Sequence, residues 1–357
     1  MKKTILSLFG ISGLVAALLV VVNARRHLLA AGAAAVLAVQ AHAQMLINGA
    51  GSTFDYPAFT KWFEAYAAID PSVRFNYASV GSGGGQQQLL KQTVDFGATD
   101  APMTDAAMAK APGKILHFPV VAGGVAVMYN LPGNPKLKLD GPTLAGIYLG
   151  RITKWNDPAI TALNPGVRLP ALPIIVVHRS EGSGTTYIFT DYLSVISPVW
   201  AKSVGKNVSV RWPVGLGGKG SEGVAGQVKQ LSGAIGYGEL AYADQNKIPY
   251  ADIKNAAGNF ISPAPASVSA ALATAHIPPD FRFSMVNPPG DQAYPIAGAS
   301  WIVVYQTQPN PAHGRKLVGF LKWAVTAGQK LSAQLDYAPL PDNVQQRELA
   351  LLDTIKY

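Results

Sequence analysis

The sequence predicts an α/β protein of two lobes, and three observations carry that expectation. Short apolar strands alternate with amphipathic helices along the chain, the pattern of sheets flanked by helices. The pattern restarts after Phe118-Pro119-Val120 and returns near the C-terminus at Ser300 to Tyr305. Four Gly/Ser/Thr-rich stretches stand out between these elements: Gly49-Ala50-Gly51-Ser52-Thr53-Phe54, Gly81-Ser82-Gly83-Gly84-Gly85, Gly97-Ala98-Thr99-Asp100 and Arg179-Ser180-Glu181-Gly182-Ser183-Gly184-Thr185.

Taken in order, Met45 to Ile47 reads as the first strand. After Pro57, the residues Phe59, Trp62, Phe63, Tyr66 and Ala67 fall at i, i+3, i+4, i+7 and i+8, which puts them on one buried helix face. Val73 to Ser79 is the next strand, Gln86 to Gln92 the next helix and Val94 to Ala98 a third strand, with Asp100 just beyond its C-terminal end. In open α/β sheets, ligands bind in the crevice outside such strand ends. Ala122 to Asn130 is a long strand and is followed by a helix around Thr143 to Leu149. Ile174 to His178 delivers Arg179 and the loop Glu181 to Thr185 into a helix through Ile188 to Val195, and Gly314 to Thr326 is a late amphipathic helix. The return of the pattern implies a discontinuous first lobe, 44–120 with 295–357, and a second lobe, 121–294. Crossings near Pro119 to Val125 and Pro289 to Pro295 then form a two-strand hinge, with ligand in the cleft between the lobes.

Composition bounds the class. A chain of 357 residues that is 49% hydrophobic can bury a large core, and its 36 Gly and 26 Pro are spread rather than massed in a low-complexity tract. There is no internal repeat. With no Cys, a disulfide framework, thiolate metal ligands, a Cys nucleophile and a lipid-modified N-terminal Cys are excluded.

The N-terminus reads as an export leader. Met1-Lys2-Lys3 precedes an apolar run from Ile5 to Val22; Arg25-Arg26, a second run from Leu28 to Val39 and the small-residue pattern Ala41-His42-Ala43 follow. The second run fits the core of a signal peptide and is short for a membrane span, whereas the first could span. Arg25-Arg26 also resembles a twin-arginine signal. The expectation is a leader of residues 1–43, cleaved after Ala43, and an exported protein; an uncleaved anchor or a start codon chosen too early are the alternatives. Removing that leader takes Lys2, Lys3, Arg25 and Arg26 and no acid, so the formal net charge falls from +9 to +5. The remaining Lys and Arg are scattered with no aromatic-interleaved basic run, which argues against nucleic acid as a partner and leaves a mild field that favours anions.

The chemistry lies in the four polar stretches. Three open into a helix, whose unpaired N–H groups and positive dipole end make a seat for an anion; the fourth ends in the carboxylate of Asp100. Thr53, Ser82, Ser183 and Thr185 supply hydroxyls, their loops supply N–H groups, and Arg179 supplies a planar fork that binds two oxygens at once. Asp100 is an acceptor among donors and fits only a ligand that brings a proton, as hydrogen phosphate does and sulfate at neutral pH does not. Each residue alone has a plainer reading: the hydroxyls as helix caps, Asp100 as a cap for the segment after Pro102, and Arg179 as a surface or salt-bridged residue. Gly217-Gly218-Lys219-Gly220 lacks the spacing of a phosphate-binding P-loop and reads as a structural turn.

An enzyme is disfavoured. There is no Gly-x-Ser-x-Gly elbow, no His-x3-His pair and no acid cluster fit to hold two metals, and His117, His178, His276 and His313 are widely spaced. A secreted phosphatase and a binding protein for another oxyanion such as sulfate are the alternatives.

The runs Gly49 to Phe54, Val80 to Gly85, Val94 to Pro102, Ile147 to Trp155, Arg179 to Thr185, Trp212 to Gly220, Gly233 to Ala243 and Leu335 to Leu340 closely resemble the periplasmic phosphate-binding proteins of phosphate-specific ABC transporters. The resemblance covers residues 45–343 in order. It implies a type II periplasmic binding protein fold, two lobes each with a mixed sheet flanked by helices, that closes on one phosphate and delivers it to the membrane permease subunits. It implies no cofactor or metal and a monomer in the soluble state. The phosphate contacts would fall on Thr53 and Phe54, on Ser82 and Asp100, and on Arg179, Ser183, Gly184 and Thr185. Glu181 stands where the family commonly has an Asp that orients the Arg, so the support geometry of Arg179 is the point of departure.

Overall fold

The computed structural model describes residues 44–357; the expected leader, residues 1–43, and its cleavage point after Ala43 lie outside the described residues. Twelve strands are present among them: β1 Met45–Gly51, β2 Val73–Ser79, β3 Phe96–Thr99, β4 Ile115–Tyr129, β5 Lys138–Leu139, β6 Ile175–Arg179, β7 Leu216–Gly218, β8 Ala234–Glu239, β9 Asp252–Lys254, β10 Phe260–Ile261, β11 Met285–Val286 and β12 Ile296–Tyr305. They build one long sheet of order β2-β1-β3-β12-β4-β8-β6-β7, with β11 added beside β12, and a small sheet β10-β9-β5.

Strand β4 links the two halves of the long sheet. Its residues Ile115 to Gly124 run antiparallel to β12, and its residues Val125 to Tyr129 run antiparallel to β8. All of it is buried, so both faces are apolar and the sequence shows no alternation there. The strand starts seven residues earlier than the expected Ala122, because Pro119 is accommodated and not excluded. The register shifts between Ser300 and Trp301, and Pro119 faces Trp301 at that irregularity, where a missing N–H does least harm to the ladder. In the same way β12 begins at Ile296 and not at Ser300.

Each half carries its own apolar cluster. One gathers Leu89, Met103, Ala122, Val268, Trp301 and Val303; the other gathers Ala126, Met128, Val177, Val224, Val228 and Ile248. The first helix, Tyr56–Ala67, buries Ala58, Phe59, Trp62 and Tyr66, while Phe63 is half-buried and Ala67, at its last turn, is exposed, against the expected five-residue face. Its aromatics meet Phe75 and Phe320, with the Phe75 and Phe320 rings 4.4 Å apart. Each such buried side chain contributes roughly 1.5–3 kcal/mol, so this face fixes the helix and with it the loop that precedes it.

The second helix, Ser82–Leu90, starts four residues before the expected Gln86. Three consecutive glycines argue against helix by propensity, at about 1 kcal/mol each. Here close packing overrides that preference: a Cβ on Gly85 would lie 2.9 Å from the carbonyl oxygen of Ala98, so the helix can sit against β3 only with glycine there. Among the described residues no helix is long and apolar enough to cross a membrane.

Candidate functional site

Parallel pairing sets the site. β1 runs parallel to β3, and β6 runs parallel to both β8 and β7, so these strands deliver their C-terminal residues to loops that open over the sheet edge. β1 leads into Ser52-Thr53-Phe54, β3 into Asp100, β6 ends on Arg179, and β7, whose Gly218 lies beside Arg179, leads into Lys219-Gly220-Ser221. Three of these loops feed helices: Tyr56–Ala67, Gly184–Ile196 and Gly220–Gln230.

The side chains converge. Thr53, Ser82, Asp100, Arg179, Ser183 and Thr185 are all buried, and hydrogen bonds join the two halves of the sheet through them. Thr185 Oγ1 is 3.4 Å from Asp100 Oδ2, and Ser82 Oγ accepts from the N–H of Asp100 at 3.1 Å and of Gly184 at 3.0 Å. Gly184 must be glycine for this approach, since a Cβ there would lie 2.6 Å from the Asp100 nitrogen. Ser183 caps its helix by accepting from Thr186 N at 3.1 Å, which leaves its hydroxyl hydrogen available. Phe54 is buried against Tyr337, and its N–H donates to Ser52 Oγ at 2.9 Å. Asp100 is not a cap: Thr104 caps the short helix Asp105–Met108.

Arg179 is held from one side and faces the site hydroxyls with the other. Its Nε donates to Glu181 Oε1 at 2.8 Å and its Nη2 bonds the same oxygen, while Glu181 also accepts from Gly220 N at 3.3 Å. The longer side chain thus takes two guanidinium nitrogens on a single oxygen and holds the guanidinium from that side. Nη1 points inward, 3.3 Å from Ser221 Oγ and 3.5 Å from Thr185 Oγ1. Burial raises the Asp100 carboxyl to about 6, against the pull of Ser52, Ser300, Arg179 and Thr185. Near neutral pH it remains mostly an ionised acceptor.

Thr53, Phe54, Ser82, Asp100, Arg179, Glu181, Gly184 and Thr185 are therefore linked in one hydrogen-bonded cluster, the Ser183 hydroxyl caps the helix beside it, and four other residues join the cluster. Ser221 Oγ lies 2.7 Å from Thr53 Oγ1, so the Gly218-to-Gly220 segment is a fourth loop-to-helix start and not only a turn. The signal for it was Val224, Ala225 and Val228 on one face behind Gly220-Ser221. Ser52 bonds Asp100 Oδ1 directly, Ser300 Oγ lies 2.8 Å from that same oxygen, and Asp55 Oδ2 lies 2.7 Å from Ser300 Oγ. Nothing in a strand sequence marks Ser300, and Asp55 reads as an ordinary helix cap. Tyrosines brace the first loop: Tyr242 OH donates to Thr53 O at 2.6 Å and Tyr337 OH to Phe54 O at 2.5 Å. Among the described residues no group of three or more His, Asp and Glu is placed to hold a metal ion.

Mixed sheets flanked by helices, with the polar loops gathered at the strand ends, are the fold of a type II periplasmic binding protein. Residues 38–327 match the family model described as a PBP superfamily domain. The chain is 44% identical over 305 residues to the phosphate-binding protein PstS of Pasteurella multocida, covering 84% of this chain and 88% of the relative. It is 45% identical over 302 residues to the protein of that name from Haemophilus influenzae, covering 84% and 90%. The fold matches the solved structure of a high affinity periplasmic phosphate-binding protein bound with phosphate, with a TM-score of 0.71, 24% identity and coverage of 86% of this chain and 93% of that one. The chain belongs to the family of phosphate-binding proteins PstS.

Proposed function

We propose that the protein binds one inorganic phosphate among the converging loops and hands it to the permease of a phosphate ABC transporter. The observation that carries this reading is the juxtaposition, in one buried cluster, of Arg179 Nη1 and the Asp100 carboxyl across the Thr185 hydroxyl. A desolvated oxyanion needs many donors, since an unpaired buried charge costs several kcal/mol. Thr53, Ser82, Ser183 and Thr185 hydroxyls and the Phe54 and Gly184 N–H groups provide them. The two N–H groups, which now face Ser52 Oγ and Ser82 Oγ, would exchange those partners for anion oxygens. Asp100 takes the ligand's hydrogen, which selects hydrogen phosphate over sulfate. Ser221 Oγ, between Arg179 and Thr53, adds a further donor.

In this reading residues 44–120 with 295–357 and residues 121–294 are the two lobes, β4 is one strand of the hinge, and the cleft closes over phosphate. Export to the periplasm, with loss of residues 1–43, and a monomeric carrier without enzymatic turnover complete the proposal; the relatives' names support binding, not catalysis. Calorimetric titration with inorganic phosphate at neutral pH tests it: one site of high affinity is expected, with no hydrolysis of a chromogenic phosphate ester. Absence of binding, or turnover of the ester, would overturn it.

A further inference from the structure

Asp55 stands at the N-cap position of the helix Tyr56–Ala67 but makes no capping bond; its side chain turns into the interior, where it is fully buried. Counting hydrogens there shows that one proton more is needed than the hydroxyls supply. Ser300 Oγ lies 2.7 Å from Asp55 Oδ2 and 2.8 Å from Asp100 Oδ1, and a serine hydroxyl has a single hydrogen to give. Were both carboxyls ionised, one of those two short contacts would join lone pair to lone pair.

The partners decide which acid carries the proton. Asp100 has the hydroxyls of Ser52, Ser300 and Thr185 around it and the Arg179 charge nearby. Asp55 has Ser300 and the hydroxyl of Tyr77, which is 3.4 Å away and gives its one hydrogen to Ser52 O at 2.7 Å. The other titratable groups that interact with Asp55 through charge are Asp100, across Ser300, and Tyr242 and Tyr337, whose hydroxyls bond Thr53 O and Phe54 O, and none of these is a cation. Burial and the Asp100 charge push the Asp55 carboxyl well above the usual carboxylate range, against the pull of Ser300, of its own N–H and of Tyr77.

We propose that Asp55 is a positioning residue of the phosphate site: as the neutral acid it donates to Ser300 Oγ, which makes Ser300 donate to Asp100 Oδ1. That oxygen is then saturated by Ser52 and Ser300, and Oδ2, beside Thr185, is left as the acceptor that meets the ligand's hydrogen. Asp55 thus fixes the charge and the orientation of Asp100 without touching the anion. The proposal rests on the phosphate reading for its purpose but not for the location of the proton.

Infrared difference spectra of the wild-type protein, Asp55→Asn and Asp100→Asn, recorded at neutral pH without added anion, test it. Asp55→Asn should lose one carboxylic-acid carbonyl band that Asp100→Asn keeps; the reverse pattern, or no loss in Asp55→Asn, overturns the assignment. Calorimetry with inorganic phosphate gives the functional arm. Asp55→Ala should bind at least tenfold more weakly, and Asp55→Asn, which keeps a donor toward Ser300, should recover most of that loss; an amide variant as weak as the alanine one argues against the relay. If Asp55→Ala does not fold, Ser300→Ala serves, with phosphate binding at least fivefold weaker and its acidic limb moved to higher pH; an unchanged profile overturns the relay. Failure of wild-type protein to bind phosphate would sink the phosphate reading, while the carbonyl bands would still decide where the proton sits.

Discussion

Asp100→Asn isolates the group that reads the proton on the ligand. The carboxyl is buried and raised to about 6, so near pH 7.5 it is an anion in a poorly solvated place. Sulfate brings no proton at that pH. At about 4 Å and an effective dielectric near 20, its repulsion by a carboxylate amounts to about 4 kcal/mol, a factor on the order of a thousand in affinity. The amide removes this charge and can donate. Sulfate should therefore bind Asp100→Asn up to about a thousandfold more tightly than it binds the wild type, while phosphate, losing one charge-assisted bond of about 1.5–3 kcal/mol and regaining part of it from the amide oxygen, weakens by about tenfold. Lowering the pH of the wild type through about 6 protonates Asp100 and makes the same change without mutation, so sulfate binding should rise toward pH 5 in the wild type and stay flat in Asp100→Asn. Competition calorimetry of both anions at pH 5 and 7.5, at constant ionic strength, measures this. Sulfate excluded from Asp100→Asn as strongly as from the wild type would refute the reasoning, because selectivity would then reside elsewhere.

Arg179→Ala should weaken phosphate at least tenfold by calorimetry, since it removes a charge-assisted donor and leaves Glu181, whose oxygen now holds two guanidinium nitrogens, with only the Gly220 N–H as partner and no cation beside it. Ser221→Ala should weaken it by about fivefold, the worth of one hydrogen bond of about 1 kcal/mol; wild-type affinity would remove Ser221 from the site. Millimolar phosphate should raise the melting temperature of the wild type by mass action, and an unmoved melting curve would count against a phosphate site. His117, buried with its Nε2 accepting from Met103 N at 3.1 Å, is lowered by burial to about 4, so between pH 6.5 and 4 the unfolded chain binds the proton first and this group's contribution to stability falls as pH falls. The loss reaches about 3 kcal/mol at low pH, and His117→Gln should flatten that limb in urea melts.

The sequence carried the site better than it carried the strand limits. Polar loops at strand ends are written in Gly, Ser and Thr, and Arg179, Asp100 and the hydroxyls of Thr53, Ser82 and Thr185 reach one cluster. Pro119 resembles a boundary in the sequence and so hides the first half of strand β4, and only its partner's irregular register reveals that the proline is tolerated. The start of the helix Ser82–Leu90 is hidden because its glycines serve close packing against β1 and β3, which no local propensity records. Ser300 and Asp55 were illegible for a different reason. One lies mid-strand and the other looks like a cap, and they meet only because β12 runs antiparallel to β3 with Trp301 opposite Thr99.

The location of the anion is the point on which everything else turns, and a crystal structure of the phosphate-soaked protein measures it directly. The expected result is one phosphate within hydrogen-bond distance of Arg179 Nη1, of the Thr53, Ser82, Ser183 and Thr185 hydroxyls and of the Phe54 and Gly184 N–H groups, with one oxygen against Asp100 Oδ2 and Asp55 turned away toward Ser300. Phosphate bound instead outside this cluster, for example beside Lys114 and Arg282 in the groove next to His117, with Asp100 and Arg179 untouched, would contradict it.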